Sequence, residues 1–271
     1  MVLIMYWLAA YDEAKTMREI IAAIAGVIDE GNFYVREEGL EFSAMDESRV
    51  AMVILKIPST VFHRYEFEPP EGGETLVIGV NFSDLKKIMQ RGKAKDGIIL
   101  NVKKEHGKTF FGVTFFRGTI EEKTLQRTFA LPILEIPEER INIKELQYDV
   151  IVEFSPASFL NDIISDASIV GEDLRLLTSS SDKEIKFIAE SETGGFYEYV
   201  APLEREDTVV QWEIKNDAEA LYSIDFLKKF VRASKVADMV RVEYSRNMPL
   251  KMTFLVGGGI ELTYLLAPRI L

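Results

Sequence analysis

The side chains able to do acid–base, nucleophilic or metal chemistry are few and scattered. The chain has two histidines and no cysteine, which excludes disulfides, thiolate metal sites and cysteine nucleophiles. His63 lies in Phe62-His-Arg-Tyr65 and His106 in Glu105-His-Gly107. Both read as solvated turn or strand-end residues rather than as bases held by an orienting partner. Asp162 and Asp166 are four residues apart, a helical spacing at which two carboxylates could share a proton or hold a hard cation. In a chain of net charge −12 such pairs also arise from composition alone. The glycine runs Gly72-Gly73, Gly194-Gly195 and Gly257-Gly258-Gly259 sit between alternating segments, as hairpin turns do. None opens a helix after a strand, so no phosphate-cradling fingerprint is present. The expectation is a protein that is not an enzyme and uses no cofactor or metal.

What remains is positive charge in a repeated pattern. Phe82, Leu85, Ile88 and Met89 recur at helical spacing and form an expected buried stripe. Lys86, Lys87 and Arg91 then face outward, with Lys93 and Lys95 just beyond. Later in the chain Phe226, Leu227, Phe230 and Val231 take the inner side and leave Lys228, Lys229, Arg232 and Lys235 outside. An earlier amphipathic segment, 12–28, adds Lys15 and Arg18 to its outer face. A fourth, 156–170, presents Asn161, Asp162, Ser165 and Asp166, with no base among them. There is no Cys/His zinc spacing, no Arg- and Asn-rich recognition helix and no aromatic–basic stacking motif. The chemistry left is sequence-independent attraction to phosphates, which duplex DNA carries at about one charge per 1.7 Å of axis. Weak contact of that kind permits sliding, where base-reading contacts would arrest it.

These residues are positioned by a duplicated set of elements. Val80-Asn-Phe-Ser-Asp-Leu-Lys-Lys-Ile-Met-Gln-Arg91 has a counterpart in Leu221-Tyr-Ser-Ile-Asp-Phe-Leu-Lys-Lys-Phe-Val-Arg-Ala233, and each is followed by a strand-like run, 97–102 and 239–244. Upstream, Gly39-Leu-Glu-Phe-Ser-Ala-Met-Asp46 matches Glu184-Ile-Lys-Phe-Ile-Ala-Glu-Ser191 in its period-two alternation. Each follows an amphipathic helix, with Met17, Ile20, Ile21, Ile24, Val27 and Ile28 on one stripe and Phe159, Leu160, Ile163, Ile164 and Ala167 on the other. Both halves therefore run helix, strands, Leu-Lys-Lys helix, strands. Between them Leu131-Pro-Ile-Leu-Glu-Ile-Pro-Glu-Glu-Arg140 carries prolines that cannot donate to a sheet ladder. The expected division is an N-terminal domain over 1–130, a connector over 131–148 and a C-terminal domain over 149–271.

Hydrophobic residues make up 47% and charged residues 28% of 271, the balance of a chain able to bury a full core. The apolar opening, 1–10, lacks a basic flank and runs into an acidic amphipathic segment, so it reads as a buried strand rather than a signal peptide. No apolar stretch reaches the roughly 20 residues that cross a bilayer. The absence of cysteine suits an intracellular address. The net charge of −12 opposes nucleic acid unless the bases are gathered on one surface. It also favours an alternative reading, an acidic protein–protein scaffold that does not encircle DNA.

Three segments resemble a known family. Ala44-Met-Asp-Glu-Ser-Arg-Val-Ala-Met-Val-Ile-Leu55 resembles the proliferating cell nuclear antigen (PCNA) signature around Met-Asp-Ser-Ser-His-Val. Ile78-Gly-Val-Asn-Phe-Ser-Asp-Leu-Lys-Lys-Ile-Met89 resembles its second signature, and Tyr264-Leu-Leu-Ala-Pro-Arg-Ile270 its C-terminal Leu-Ala-Pro-Lys-Ile. The resemblance, which extends to archaeal members, covers nearly the whole chain. It implies the α+β DNA clamp fold: two topologically similar domains, each of antiparallel sheets and two helices, three subunits closing a ring of one chain or of several. It further implies a DNA polymerase sliding clamp, or processivity factor, for replication and repair. The helices would line the hole, and partner enzymes would be recruited through PIP-box peptides. Expected partners are double-stranded DNA, two further clamp subunits, DNA polymerase, flap endonuclease, DNA ligase and an ATP-driven clamp loader, with no membrane. The place of action would be the nucleoid-associated cytoplasm of a prokaryote or the nucleus of a eukaryote.

Carried over by position, the subunit edges would be Lys123, Thr124, Leu125, Arg127 and Phe129 on one side and Gly195, Phe196, Tyr197 and Tyr199 on the other. The partner-peptide pocket would involve Met45, Arg49, Ile141, Ile143, Pro249, Ala267, Pro268, Arg269 and Ile270. Arg49 stands where the family commonly has His, and Lys144 where it commonly has Pro. The N-terminus and the loop 66–75 are longer than usual. The base-free helix suits a subunit of a mixed ring.

Overall fold

A computed structural model describes residues 4–70, 72–105, 107–138, 146–204 and 207–270. The chain divides into two compact units, 1–44 with 54–141 and 258–260, and 45–53 with 142–257 and 261–271.

The first half runs β1 (Ile4–Tyr11), α1 (Ala14–Ile24), β2 (Glu30–Arg36), β3 (Gly39–Met45), β4 (Ala51–Pro58), β5 (Arg64–Phe67), β6 (Leu76–Asn81), α2 (Phe82–Met89), β7 (Gly97–Glu105), β8 (Lys108–Gly118) and β9 (Lys123–Pro132). The second runs β10 (Val150–Phe154), α3 (Phe159–Val170), β11 (Asp173–Ser179), β12 (Glu184–Glu190), β13 (Phe196–Pro202), β14 (Val209–Ile214), β15 (Ala218–Ser223), α4 (Ile224–Phe230), β16 (Met239–Tyr244), β17 (Leu250–Val256) and β18 (Ile260–Leu266). The order of elements is the same. So is the topology: strands lie β5-β1-β7-β8-β9 in the first half and β14-β10-β16-β17-β18 in the second, then β4-β3-β2-β6 against β13-β12-β11-β15. The pairings given above for 39–46 with 184–191, and for the two Leu-Lys-Lys helices, join elements of equal rank in this order.

Composition explains the elements. Along β11, Leu174, Leu176 and Thr178 alternate inward, the period of a strand with one buried face. Strand β10, Val-Ile-Val-Glu-Phe, lies between β14 and β16 and buries Val150, Val152 and Phe154 completely. Helix α1 turns Ala14, Met17, Ile20, Ile21 and Ile24 into one buried stripe. Aromatic rings fill the centre of the first unit: Phe42 meets Phe82 edge-on at 5.0 Å and Trp7 stacks on Phe111 at 6.4 Å. In the second, Phe230 stacks on Tyr264 at 4.4 Å.

Four helix boundaries differ from the sequence expectation. Helix α1 begins at Ala14 rather than 12, because the Ala14 N–H donates to the Asp96 carbonyl at 2.9 Å and Glu13 is extended. It ends at Ile24, so Val27 sits in the following turn and is half-buried. Helix α2 stops at Met89, where Arg91 N–H to Ile88 O and Gly92 N–H to Met89 O tighten the chain into a turn. Helix α3 starts at Phe159, after a turn in which Phe159 N–H donates to Pro156 O. Ile88 and Phe226, expected inside, flank their stripes and are half-buried.

Candidate functional site

In each unit the two helices pack against each other, α1 on α2 and α3 on α4. Leu85 and Leu227 are buried at equivalent places, and each is followed by one exposed and one half-buried lysine. Lys87 is exposed and 2.9 Å from Asp84, whose N–H donates to the Asn81 side chain that caps the helix. Lys86 is half-buried. Lys228 is exposed and reaches Ser168 Oγ at 3.5 Å, while Lys229 lies 4.9 Å over the Phe226 ring. Lys15, Arg91, Lys93, Lys95, Arg232 and Lys235 are exposed. Arg18 differs: it bonds Glu19 at 2.9 Å and donates to the Gly92 carbonyl at 3.3 Å, tying α1 to the end of α2.

Helix α3 keeps the acidic face expected of it, with Asp162, Ser165 and Asp166 exposed and Asn161 accepting from Ser234 at 3.1 Å. It packs on β12 and β13, which places its carboxylates beside the sheet edge. Burial, then the charge of Asp166, then Tyr199 and Asp162, push the Tyr197 hydroxyl of β13 upward from its ordinary value. Among the described residues no group of three or more His, Asp or Glu side chains is placed to hold a metal ion. His63 stands 3.6 Å from Asp12 with both side chains more than half exposed. His106 lies outside the described residues.

The two sheet edges expected to join subunits end their sheets. Strands β9 and β13 have no strand on their outer side among the described residues. Leu125 on β9 is 60% exposed and Phe196 on β13 is 59% exposed, an arrangement that invites pairing. Val200 is exposed on β13, and so is Ile169 at the end of the adjoining α3. Behind β9 lies a feature that the sequence did not announce. Asp96 is 2% exposed and accepts from the Lys93 N–H at 3.0 Å, from Arg117 Nε at 3.1 Å and from Arg127 Nη2. Arg127 also donates to the Arg91 carbonyl at 3.0 Å and lies over Phe115. Burial by itself raises the Asp96 carboxyl, but the Lys93 N–H and the two arginines outweigh it and hold it below the usual range. A cleft of about 190 Å³ opens here, lined by Lys93, Asp96, Leu125 and Arg127 among others. The only sequence signal was an Asp before the strand-starting Gly97.

The described residues of the expected peptide pocket all belong to the second unit. Met45 is half-buried at the end of β3. The Asp46 carboxylate gathers the N–H groups of Ser48, Val50 and Ala51 and sets the loop in which Arg49 takes φ 57. Ala267 N–H donates to Val50 O at 2.9 Å, and Arg269 N–H to Leu221 O at 2.7 Å. Arg269 also pairs with Asp173 at 3.3 Å. Tyr222, next to Leu221, donates to Met248 O at 2.8 Å beside the half-buried Pro249. The tail 267–269 is thus sewn between two segments, with Ile270 96% exposed at its end. Ile141, Ile143 and Lys144 lie outside the described residues. The start of the connector, in the first unit, is anchored: Leu134 bridges to Gly79, and Asn32 Nδ2 donates to Ile136 O at 3.0 Å.

Against known proteins, residues 7–139 match the family profile "Proliferating cell nuclear antigen, N-terminal domain", and residues 142–269 match "Proliferating cell nuclear antigen, C-terminal domain". The chain belongs to the PCNA family. Its relatives include the "DNA polymerase sliding clamp" of Thermococcus gammatolerans, 34% identical over 96% of this chain and 97% of that protein. That of Pyrococcus furiosus is 32% identical over the same shares. The fold matches the crystal structure of PCNA from Thermococcus kodakaraensis with a TM-score of 0.84 at 23% identity, over 97% of this chain and 100% of that one. It also matches a chain of the PCNA2–PCNA3 complex from Sulfolobus tokodaii, TM-score 0.83 at 20% identity, over 97% and 99%. Membership in the PCNA family gives the duplicated α+β architecture its place: two similar domains of antiparallel sheets, each with a pair of helices.

Proposed function

We propose that this chain is one subunit of a DNA sliding clamp that encircles duplex DNA and tethers replication and repair enzymes to it. The observation that carries the reading is the duplication of a lysine pair, Lys86-Lys87 and Lys228-Lys229, at equivalent places on α2 and α4. Lys15, Arg18 and Arg91 in the first unit, and Arg232 and Lys235 in the second, would meet phosphates in the same way. The contact is electrostatic and blind to sequence, so the protein holds DNA without stopping on it. The work is positional rather than catalytic, and it needs no cofactor. With archaeal relatives, its place is the nucleoid of the cytoplasm.

Domains over 1–130 and 149–271 would be joined by the connector 131–148. Subunits would meet head to tail, Lys123, Thr124, Leu125, Arg127 and Phe129 of one against Gly195, Phe196, Tyr197 and Tyr199 of the next. Two things support this: exposed apolar side chains on both edges, and opposite charge, with Arg117 and Arg127 sharing the single Asp96 carboxylate at one and Asp162, Asp166 and Glu198 at the other. Such a heterologous contact closes into a ring when its rotation allows. Partner peptides of polymerase, flap endonuclease or ligase would dock at Met45, Arg49, Ile141, Ile143, Pro249 and the tail 267–270.

The acidic face of α3 favours a second reading, a scaffold that does not surround DNA. One experiment separates them. The full chain, alone or with sister subunits, is placed by a clamp loader and ATP on nicked circular DNA, and retention is followed before and after linearisation. A clamp stays on the circle and leaves the linear form; equal retention on both, or on neither, overturns encirclement.

A further inference from the structure

A groove in the first unit is lined by none of the residues assigned above. The β2–β3 turn, Glu37-Glu38, the Ser59–Val61 turn and the strand β5 with its following loop enclose an open groove of about 850 Å³. Its walls are pinned. Ser59 N–H donates to Glu38 O at 2.7 Å, and the Tyr65 hydroxyl donates to Arg36 O. Tyr65, Phe67 and Pro69 supply apolar surface, and Glu37, Glu38 and Glu74 supply charge. All three carboxylates are on exposed residues, and none has an ion-pair partner among the described residues. The one base in the lining, Arg36, is already paired with Glu41 at 2.6 Å and donates to Thr75 at 2.9 Å. Arg64 on β5 is likewise paired, with Glu66 at 2.5 Å. The groove therefore keeps a net acidic field.

Strand β5 is also the end strand of its sheet, paired on one side with β1 from Arg64↔Ala10 to Phe67↔Trp7 and with no strand on the other among the described residues. A groove lined by residues of an end strand suits an extended chain, which adds main-chain hydrogen bonds to the strand and sets alternate side chains into the walls. Here those walls are aromatic at the floor and acidic at the rim. Lysine and arginine satisfy both, laying their stems along Tyr65 and Phe67 while the heads reach the glutamates.

We propose that this groove binds a lysine- or arginine-rich extended segment of a partner protein, by strand addition to β5. The site does not depend on ring closure or on the pocket at the tail 267–270.

The test uses the full chain and a labelled octapeptide alternating lysine and threonine, with binding read by fluorescence anisotropy. Backbone amide shifts locate the contact. The wild type binds, with shifts centred on Tyr65 and Phe67. The pair Glu37→Gln/Glu74→Gln weakens binding about five- to tenfold, the scale of two rim ion pairs. Glu213→Gln/Glu261→Gln, the same charge change at exposed positions elsewhere, leaves it unaltered. A peptide N-methylated at alternate residues loses affinity roughly tenfold or more, because strand addition needs its N–H groups. Equal weakening by the two variant pairs would reduce the effect to the chain's overall charge and overturn the proposal. Undiminished binding of the N-methylated peptide, no binding by the wild type, or shifts centred on β9 or β13 would overturn it too. So would β5 amides already protected in the free protein by a second copy of the chain.

Discussion

Asp96 shows how one buried carboxylate can govern a surface strand. It joins Arg127 of β9, Arg117 of β8 and the backbone that follows α2. Replacing it by Asn removes the charge and leaves two guanidinium groups short of acceptors, so Asp96→Asn should destabilise by about 1–3 kcal/mol in chemical denaturation. Its folded-state carboxyl is held low. Its contribution is therefore complete above the unfolded value near 4, and is lost as pH falls through the lower folded value. Wild type should lose stability over that acid range more steeply than the Asn variant; parallel pH profiles would refute the role. Gly79 is a second such residue, because a Cβ there would stand 2.1 Å from Leu134 O. Gly79→Ala should break the Leu134 bridge and free the start of the connector. Hydrogen exchange would then speed up at Leu134 while β2 amides stay protected.

At the scale of elements, the same strand type serves two ends. Interior strands such as β10 are paired on both sides and bury one face completely, whereas β9 and β13 present apolar side chains at an edge that is free among the described residues. An aspartate at Phe196 or Leu125 should leave the fold intact, since both side chains already meet solvent. Burying either at an interface contributes about 1.5–3 kcal/mol, so subunit association should weaken roughly tenfold to a hundredfold by sedimentation. Unaltered association would remove β9 and β13 from the interface. Helix α3, acidic on its outer face and packed on β13, belongs with that edge more than with DNA. Neutralising it by Asp162→Asn/Asp166→Asn should impair association and leave DNA retention per assembled ring unaltered.

For the whole molecule, a net charge of −12 is compatible with the proposed attraction to DNA if the bases of the helices are what meets it. Substituting Lys86, Lys87, Lys228 and Lys229 by Ala should shorten the lifetime of the loaded chain on circular DNA. It should also flatten the salt dependence by about 0.9 in log–log slope for each phosphate that is no longer neutralised. An unchanged slope would show that these lysines do not meet phosphate. Acidity elsewhere repels DNA from the remaining surface and leaves room for a basic partner segment in the β5 groove.

The duplication was legible in the sequence because it resides in periodicity: the stripe of Met17, Ile20, Ile21 and Ile24, and the two Leu-Lys-Lys segments, are local patterns that any copy of the helix must keep. Helix ends were legible only to within a few residues. They were decided by remote contacts, as when Asp96 O, some eighty residues on, takes the Ala14 N–H. The Asp96 node, the tail 267–269 held between Val50 and Leu221, and the β5 groove were not legible at all. Each joins segments far apart in the chain through single hydrogen bonds or sheet edges, and neither composition nor period records which distant backbone group a side chain will meet. The sequence by itself determined the elements, their repetition and the sign of the helix faces. Only the tertiary structure decided which strand edges stay free and which charges are already paired, because both depend on what the chain packs against.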